Sequence, residues 1–337
     1  MTRYFLRRFA TMAVTLLAIS VLIFVVIKLP PGDFLTMRIQ ELMAEGDSAA
    51  AAKADFLRRA YGLDLPGWQQ YLSWIGLWPR AGAYSGLLQG NFGWSFEYDL
   101  PVIDVVGDAL GATLIVNLAA LVFIHLLAIP LAVFTAVRRR GIVAEAITFL
   151  AYLGLATPSF LLALILLFYL NRWFGISIGG LVDPDLADAP FSLEKLGSIT
   201  VHLIVPIVVI ALASTAAMIR RMKANLLDEL HKPYAVTARA KGLGPTRALL
   251  KYPFRMVLNP FVADIGNMLP GLISGSVLVS LVLSLPTVGP ILVQALRMQD
   301  QYLAGFILLF VAVLTVVGML IADLVLALID PRIRFGK

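Results

Sequence analysis

Six stretches of this chain, at roughly 9–29, 109–137, 142–171, 199–219, 259–285 and 301–329, run about 20 residues or more with no lysine or arginine in their interior. At 1.5 Å rise per residue, a helix of that length crosses a hydrocarbon core. A lysine or arginine at its centre would cost roughly 2.5–3.5 kcal/mol on insertion; Lys28, Arg172 and Arg220 stand at the ends of the runs instead. The composition agrees: 60% of the 337 residues are hydrophobic, 14% are charged, and the mean hydropathy is +0.87. The sequence therefore predicts an all-α integral membrane protein with six spans.

The first run follows Arg3, Arg7 and Arg8, as a signal peptide would. Its apolar core is longer than a signal h-region, and it ends in "KLPPGD" with no small-residue cleavage site, so it reads as an uncleaved anchor. Basic residues set the orientation. With the N-terminus inside, the cytoplasmic segments hold 18 of the 27 basic residues and 4 of the 21 acids: Glu145, Asp228, Glu229 and Asp330. Both termini are then cytoplasmic. The pI of about 9.6 reflects this topology, and nucleic-acid binding is excluded as its explanation. The chain has no cysteine, so neither disulfides nor thiolate chemistry are available.

The predicted organisation is an anchor at 1–29, an external segment at 30–108, a membrane core at 109–330 and a cytoplasmic tail at 331–337. The external segment carries Trp68, Trp74, Trp78 and Trp94, turn signals such as "LPPGD" and "LPGW", and a helix-compatible stretch around Gln40–Ala60. Interfacial anchoring and a local core account for the tryptophans. Asp183, Asp185 and Asp188 lack the Gly and distal Glu of a calcium loop and read as a solvated turn. Pro130, Pro158, Pro206 and Pro270 fall inside spans, where each removes a backbone hydrogen bond and favours a kink. The fifth span carries Gly266, Gly271, Ser274, Gly275 and Ser276, a close-packing signal. Ser274, Ser276 and Ser280 are candidates for lining a wet path. Asp264 and Asp323 lie toward the cytoplasmic ends of their helices, where snorkelling or capping explains them, and His125 reads as a satisfied interhelical histidine.

Catalytic constellations are absent. There is no Gly-x-Ser-x-Gly elbow, no His-Glu-x-x-His and no phosphate loop. His125, His202 and His231 sit on different elements, which disfavours a metal site or a triad, and an intramembrane hydrolase built on Ser276 has nothing else to support it. An autonomous channel or ion-coupled carrier would want paired ionisable groups near the midplane; only His125 and the end-located acids are on offer.

The segment 220–258 is the most legible. "YAVTARAKGLGPTRALLKYPFR", Tyr234 to Arg255, holds five basic residues and no acid. Pro233 suits a first helical position and Gly242 the left-handed residue beyond a helix end, which predicts a helix over Pro233–Lys241. Pro245 starts a second helix that stops before Pro253. Helices this short are marginal in water, so something must hold them. A small, alanine-rich helix with a basic rim fits a groove on another protein; a basic loop resting on headgroups would explain the charge but not the Pro and Gly bounds.

At these residues the chain resembles the dipeptide/oligopeptide-type permeases of ABC importers, whose cytoplasmic "EAA" loop the stretch matches. The resemblance runs nearly end to end, through "RYFLRRF", "PPGD", "YGLDLPGWQQYLSWI", "GNFGWSF", "ATPSF" and "LIDPRIR". It implies a six-span type I (MetI-like) permease fold with its transmembrane domain at 109–330. It implies a non-catalytic subunit paired with a second homologous permease, two cytoplasmic ATPases that hold ATP and Mg, and an external solute-binding protein, all at the bacterial inner membrane. This chain would bind no cofactor or metal itself. The loop residues implied in docking are Pro233, Tyr234, Thr237, Ala238, Arg239, Ala240, Lys241, Gly242, Leu243 and Gly244, with Ala238 and Gly242 on the pattern's own Ala and Gly. Val236 replaces the general Glu, and Ser280 and Thr287 depart from the peptide-type pattern near the outer end of the fifth span. Di- or oligopeptides are the implied cargo, with oligosaccharides or another small solute as the alternative.

Overall fold

The structure is a computed structural model, and residues 2–30, 34, 56, 59, 62–79, 82–138 and 141–329 are described. The stretch expected to be helical around Gln40–Ala60, apart from Phe56 and Arg59, and the tail at 331–337 lie outside the described residues. Among the described residues the helices are α1 (Thr2–Lys28), α2 (Gly67–Ile75), α3 (Val102–Val137), α4 (Ile142–Ala156), α5 (Ser159–Phe174), α6 (Leu193–Leu230), α7 (Pro233–Ala240), α8 (Pro245–Lys251), α9 (Pro253–Val282), α10 (Val288–Arg297) and α11 (Gln301–Ile329). A two-residue hairpin pairs β1 (Trp94–Ser95) with β2 (Leu100–Pro101), antiparallel. Among the described residues five helices are long and apolar enough to cross a membrane, or six if the bent pair α4 and α5 is counted as one span.

The run expected as a span over 142–171 is sharply bent near its middle. The two halves meet at 102°. Thr157 is extended, at φ −91° and ψ 121°, because a residue preceding proline is pushed out of the α region; Pro158, at ψ 130°, extends the break. Pro130, Pro206, Pro260 and Pro270 each lie inside a continuous helix. Only the proline with an extended residue before it divides a span. Within the segment expected as a loop at 220–258, α6 continues to Leu230 and α9 begins at Pro253, leaving 231–252 between these two long helices.

The chain forms two compact units, whose boundaries fall within α3, α10 and α11. The first covers 111–289 and 314–329 of the described residues. Its core draws on α3 at every fourth residue, Val116, Ala120, Ile124, Ala128, Ala132 and Ala136. To these are added Met218, Met222 and Leu226 of α6 and Val257, Phe261, Leu272 and Val279 of α9. The repeated alanines keep the buried stripe of α3 thin, so neighbouring backbones can approach. Polar chemistry supports the same packing: Arg221 of α6 forms an ion pair with Asp264 of α9 and stacks over Phe261, 4.9 Å from the ring centroid. Asp264 is thus an interhelical partner, where capping or snorkelling was expected. Of the expected close-packing residues, Gly266 does bring backbones together: a Cβ there would stand 2.5 Å from the Met319 backbone of α11. Gly271 and Gly275 have nothing within 4 Å of such a Cβ.

The second unit covers 2–110 and 290–313. Trp74 of α2 is buried, with its ring 6.0 Å from Phe24 of α1 and beside Gly305 of α11; Tyr71 meets Phe24 edge-on at 5.4 Å and shares a 2.9 Å hydrogen bond with Ser20. Trp68 pairs with Trp78 edge-on, and Trp94 donates to Asp99. The hairpin is pinned by Asp300, which is fully buried. One carboxylate oxygen caps α11 by accepting the Leu303 N–H; the other accepts the Ser95 hydroxyl at 2.7 Å and the Glu97 N–H at 3.2 Å. Gln294 of α10 donates to Glu97 in the same cluster.

Candidate functional site

The segment between α6 and α9 folds as its punctuation dictates. His231 ends α6, Lys232 turns the chain in an extended conformation, and Pro233 opens α7. The far end of α7 is a Schellman stop. Gly242 at φ +84° donates to the Arg239 carbonyl, and Leu243 donates to the Ala238 carbonyl. A side chain at 242 would strain that left-handed turn. Pro245 then opens α8, which bends at Tyr252 into α9.

α7 is fastened to the last turn of α6. The Tyr234 hydroxyl donates to Glu229, Lys232 Nζ lies 2.5 Å from the other Glu229 oxygen, and Arg239 reaches back to the Leu230 carbonyl at 3.1 Å. Burial, and then the bond to Glu229 and its negative charge, pushes the Tyr234 phenol well above the ordinary tyrosine range, so it remains a donor. Behind α7 lies a cavity of about 290 Å³ lined in part by Ala136, Leu230, His231, Arg239 and Pro253.

The helix presents two faces. Ala235 and Ala238, at 3% and 6% exposure, are turned into the protein. Pro233, Val236, Thr237 and Ala240 are exposed at i, i+3, i+4 and i+7, an uncharged strip with Lys232 and Lys241 beside it. Of the predicted docking residues, Ala238 and Tyr234 therefore hold the helix in place, while Thr237, Ala240, Lys241, Gly242 and Gly244 are at the surface; Arg239 is exposed but bonded to α6, and Leu243 is half-buried. Val236 shares this face although it is not among the predicted docking residues; its spacing from Pro233 and Ala240 is the sequence signal that places it there.

The three serines proposed for a wet path do not share a face of α9. Ser276 and Ser280 are buried one turn apart, and Ser274 is exposed on the other side. Ser276 donates to the Ile273 carbonyl, whereas the Ser280 hydroxyl has no hydrogen-bond partner among the described residues. Nearby in chain terms, the buried Thr287 hydroxyl likewise has no partner among the described residues, and Thr113 of α3 accepts the Val288 N–H at 2.9 Å. One turn from Thr113, Asn117 donates to its carbonyl, and its own buried oxygen has no donor among the described residues. His125, His202 and His231 each bond through Nδ1 to the carbonyl four residues earlier in their own helix, so His125 is satisfied within its helix at that nitrogen rather than across helices. No group of three metal-ligating side chains occurs among the described residues.

Apolar helices long enough to cross a membrane, with a short, separately anchored helix in a basic segment, define a multi-pass membrane protein. The chain belongs to the family of binding-protein-dependent transport system inner membrane components: residues 128–335 match that family's model, and residues 1–131 match the model of its N-terminal region. It is a permease subunit of an ABC transporter, with the MetI-like transmembrane domain of that family. It is 33% identical to the oligopeptide transport system permease protein AppB of Bacillus subtilis, over 99% of this chain and 100% of that protein. It is 28% identical to the dipeptide transport system permease protein DppB of Escherichia coli K12, with both chains fully covered. A putative peptide permease protein of Brucella suis is 30% identical over 99% of each chain.

Proposed function

We propose that the chain forms half of the translocation path of an ATP-driven importer for di- or oligopeptides. It pairs with a second homologous permease, receives cargo from an external solute-binding protein, and binds two cytoplasmic ATPase subunits that alone hold ATP and Mg. Both termini and α7 face the cytoplasm, since that is where the basic residues concentrate. The chain performs no chemistry itself; it alternates between inward- and outward-open states as the ATPases bias that equilibrium.

The observation that carries this reading is the outer strip of α7. A short helix is fastened to α6 through Tyr234, Lys232 and Arg239, and its uncharged face of Pro233, Val236, Thr237 and Ala240 is left to a partner. The cargo class rests on the end-to-end similarity to proteins named as peptide permeases.

Val236 is half exposed, so Val236→Arg tests docking without disturbing the core. In the assembled complex, roughly 30-fold weaker ATPase association and matching loss of uptake are expected, with normal membrane insertion. Full uptake by Val236→Arg, or substrate-transporting complexes that contain no ATPase, would refute the reading. Ala238→Arg is the contrasting variant: it buries a charge and lowers the amount of folded protein.

A further inference from the structure

α4 and α6 pack against each other closely enough that a Cβ on Gly154 would stand 3.0 Å from Leu212. Toward their basic ends the two helices part around a groove of about 220 Å³. Ala151, Leu155 and Ile219 supply apolar lining, and Arg220, Lys223 and Thr148 supply its polar groups. Because 219 closes the apolar run at 199–219 and Arg220 begins the basic segment, the groove straddles the level at which hydrocarbon gives way to headgroups. Exposed apolar residues of α4, Phe149 and Leu153, flank it.

The charge in the groove is unanswered. Neither Arg220 nor Lys223 makes an ion pair among the described residues. Thr148 donates its proton to the Ala144 carbonyl and accepts from Lys223 Nζ at 3.1 Å, which holds the half-buried ammonium in place and leaves it two further N–H groups. Arg220 makes no hydrogen bond among the described residues and keeps its guanidinium fork. Glu145, the nearest acid on α4 in sequence, is exposed and pairs with neither.

We propose that this groove is a binding site for an anionic phospholipid of the inner leaflet, its phosphate held by Arg220 and Lys223 and the head of one acyl chain laid against Ala151, Leu155 and Ile219. The leaflet rests on the orientation proposed above; the site does not. Its volume is below the roughly 300–1,000 Å³ of sites that enclose a small molecule, which suits a ligand whose remainder stays in the bilayer. Basic pockets between helices at the cytoplasmic side recognise lipid headgroups by this chemistry.

The test uses the assembled transporter in phosphatidylcholine vesicles carrying a trace of photoreactive phosphatidylglycerol or photoreactive phosphatidylcholine. The phosphatidylglycerol probe is expected to attach to peptides of α4 and α6 around the groove, in preference to the phosphatidylcholine probe. Arg220→Gln with Lys223→Gln should weaken that labelling about 30-fold, at roughly fivefold per basic residue. Arg220→Lys with Lys223→Arg should preserve most of it, and Ala151→Phe, which fills the wall while keeping both charges, should abolish it. Equal labelling by the two probes in the wild type, or labelling indifferent to the Gln pair, overturns the proposal without variants that must fold differently. Competition by inorganic phosphate alone would assign the charges to a soluble anion, and crosslinks from the groove to the second permease would make it a subunit contact; either result also overturns it. Uptake defects in Val236→Arg bear on α7 alone, so failure of one reading leaves the other distinguishable.

Discussion

Gly266 and Gly318 face each other where α9 crosses the C-terminal half of α11, yet the two should respond very differently to alanine. A Cβ on Gly266 would stand 2.5 Å from both the Cα and the N of Met319 and 2.7 Å from the carbonyl carbon of Gly318, all backbone. Ordinary carbon contacts need about 3.5–4.0 Å, so α9 and α11 would have to part by roughly 1 Å at the crossing. A Cβ on Gly318 meets the tip of the Leu269 side chain at 2.9 Å and the Gly266 backbone only at 3.4 Å or beyond. Leu269 can turn aside; two helix backbones cannot. Overpacking of a fixed contact costs roughly 1–3 kcal/mol, and separation of the helices forfeits neighbouring contacts as well. Against this, exchanging Gly for Ala within a helix returns up to about 1 kcal/mol in both variants. Gly266→Ala should therefore be destabilised by about 2 kcal/mol and Gly318→Ala should stay within about 0.5 kcal/mol of wild type. Thermal unfolding of the detergent-solubilised protein, followed by tryptophan fluorescence at one scan rate, ranks the two. If Gly266→Ala is as stable as wild type, or Gly318→Ala is the worse of the pair, the crossing is not set by backbone contact at residue 266.

Asp300→Ala should loosen the hairpin at 94–101, since it removes a helix cap and strands the Ser95 hydroxyl and the Glu97 N–H, at a combined cost of about 3–5 kcal/mol; faster protease cleavage in the outer segment would report it. Burial raises the pKa of Asp300 despite bonds from Ser95, Leu303, Glu97 and Phe96, so the folded state holds this proton more tightly than the unfolded chain does. Its contribution to stability is greatest below the ordinary Asp range and is lost as pH rises through the raised value; that component, read as the difference between wild type and Asp300→Asn, should fall with pH and then level off. Because the chain lacks cysteine, Ser280→Cys gives one reactive site in this subunit. Its fully buried side chain should be protected from a membrane-impermeant thiol reagent in one nucleotide state of the complex and labelled in another, while equal labelling in every state would remove Ser280 from the path.

Spans were legible because a 20-residue apolar run has few alternatives in lipid, and α7 because Pro233 and Gly242 restrict the backbone at their own positions. What the sequence left hidden depends on groups far apart in the chain. Asp264 looked like a residue near a helix end until Arg221, 43 positions earlier, was placed beside it. Asp300 sits directly before an apolar run and could have been read as a helix cap, but its grip on Ser95 joins residues 205 positions apart. The division of α4 from α5 was written in Thr157 and Pro158, yet Pro130, Pro206 and Pro270 occupy similar apolar surroundings without breaking their helices. A proline in a span indicates a lost hydrogen bond; which one becomes a corner is settled by the packing around it.

The two faces of α7 also determine what a partner's push at Val236 and Ala240 would move. Behind the helix is open space of about 290 Å³, so packing there is a poor conductor of force. The firm connections lie at its ends and flank: Tyr234 and Lys232 to Glu229, and Arg239 to the Leu230 carbonyl, all in the last turn of α6. α6 in turn packs against α4, α5 and α9 and is tied to α9 by Arg221 and Asp264. A displacement of α7 therefore reaches α6 directly through these side-chain bonds. Cutting the Glu229 link by Tyr234→Phe with Lys232→Gln should leave ATPase binding near normal, because the outer strip is untouched, yet reduce transport per ATP hydrolysed. Weakened ATPase binding with unchanged coupling would instead place the mechanical connection elsewhere.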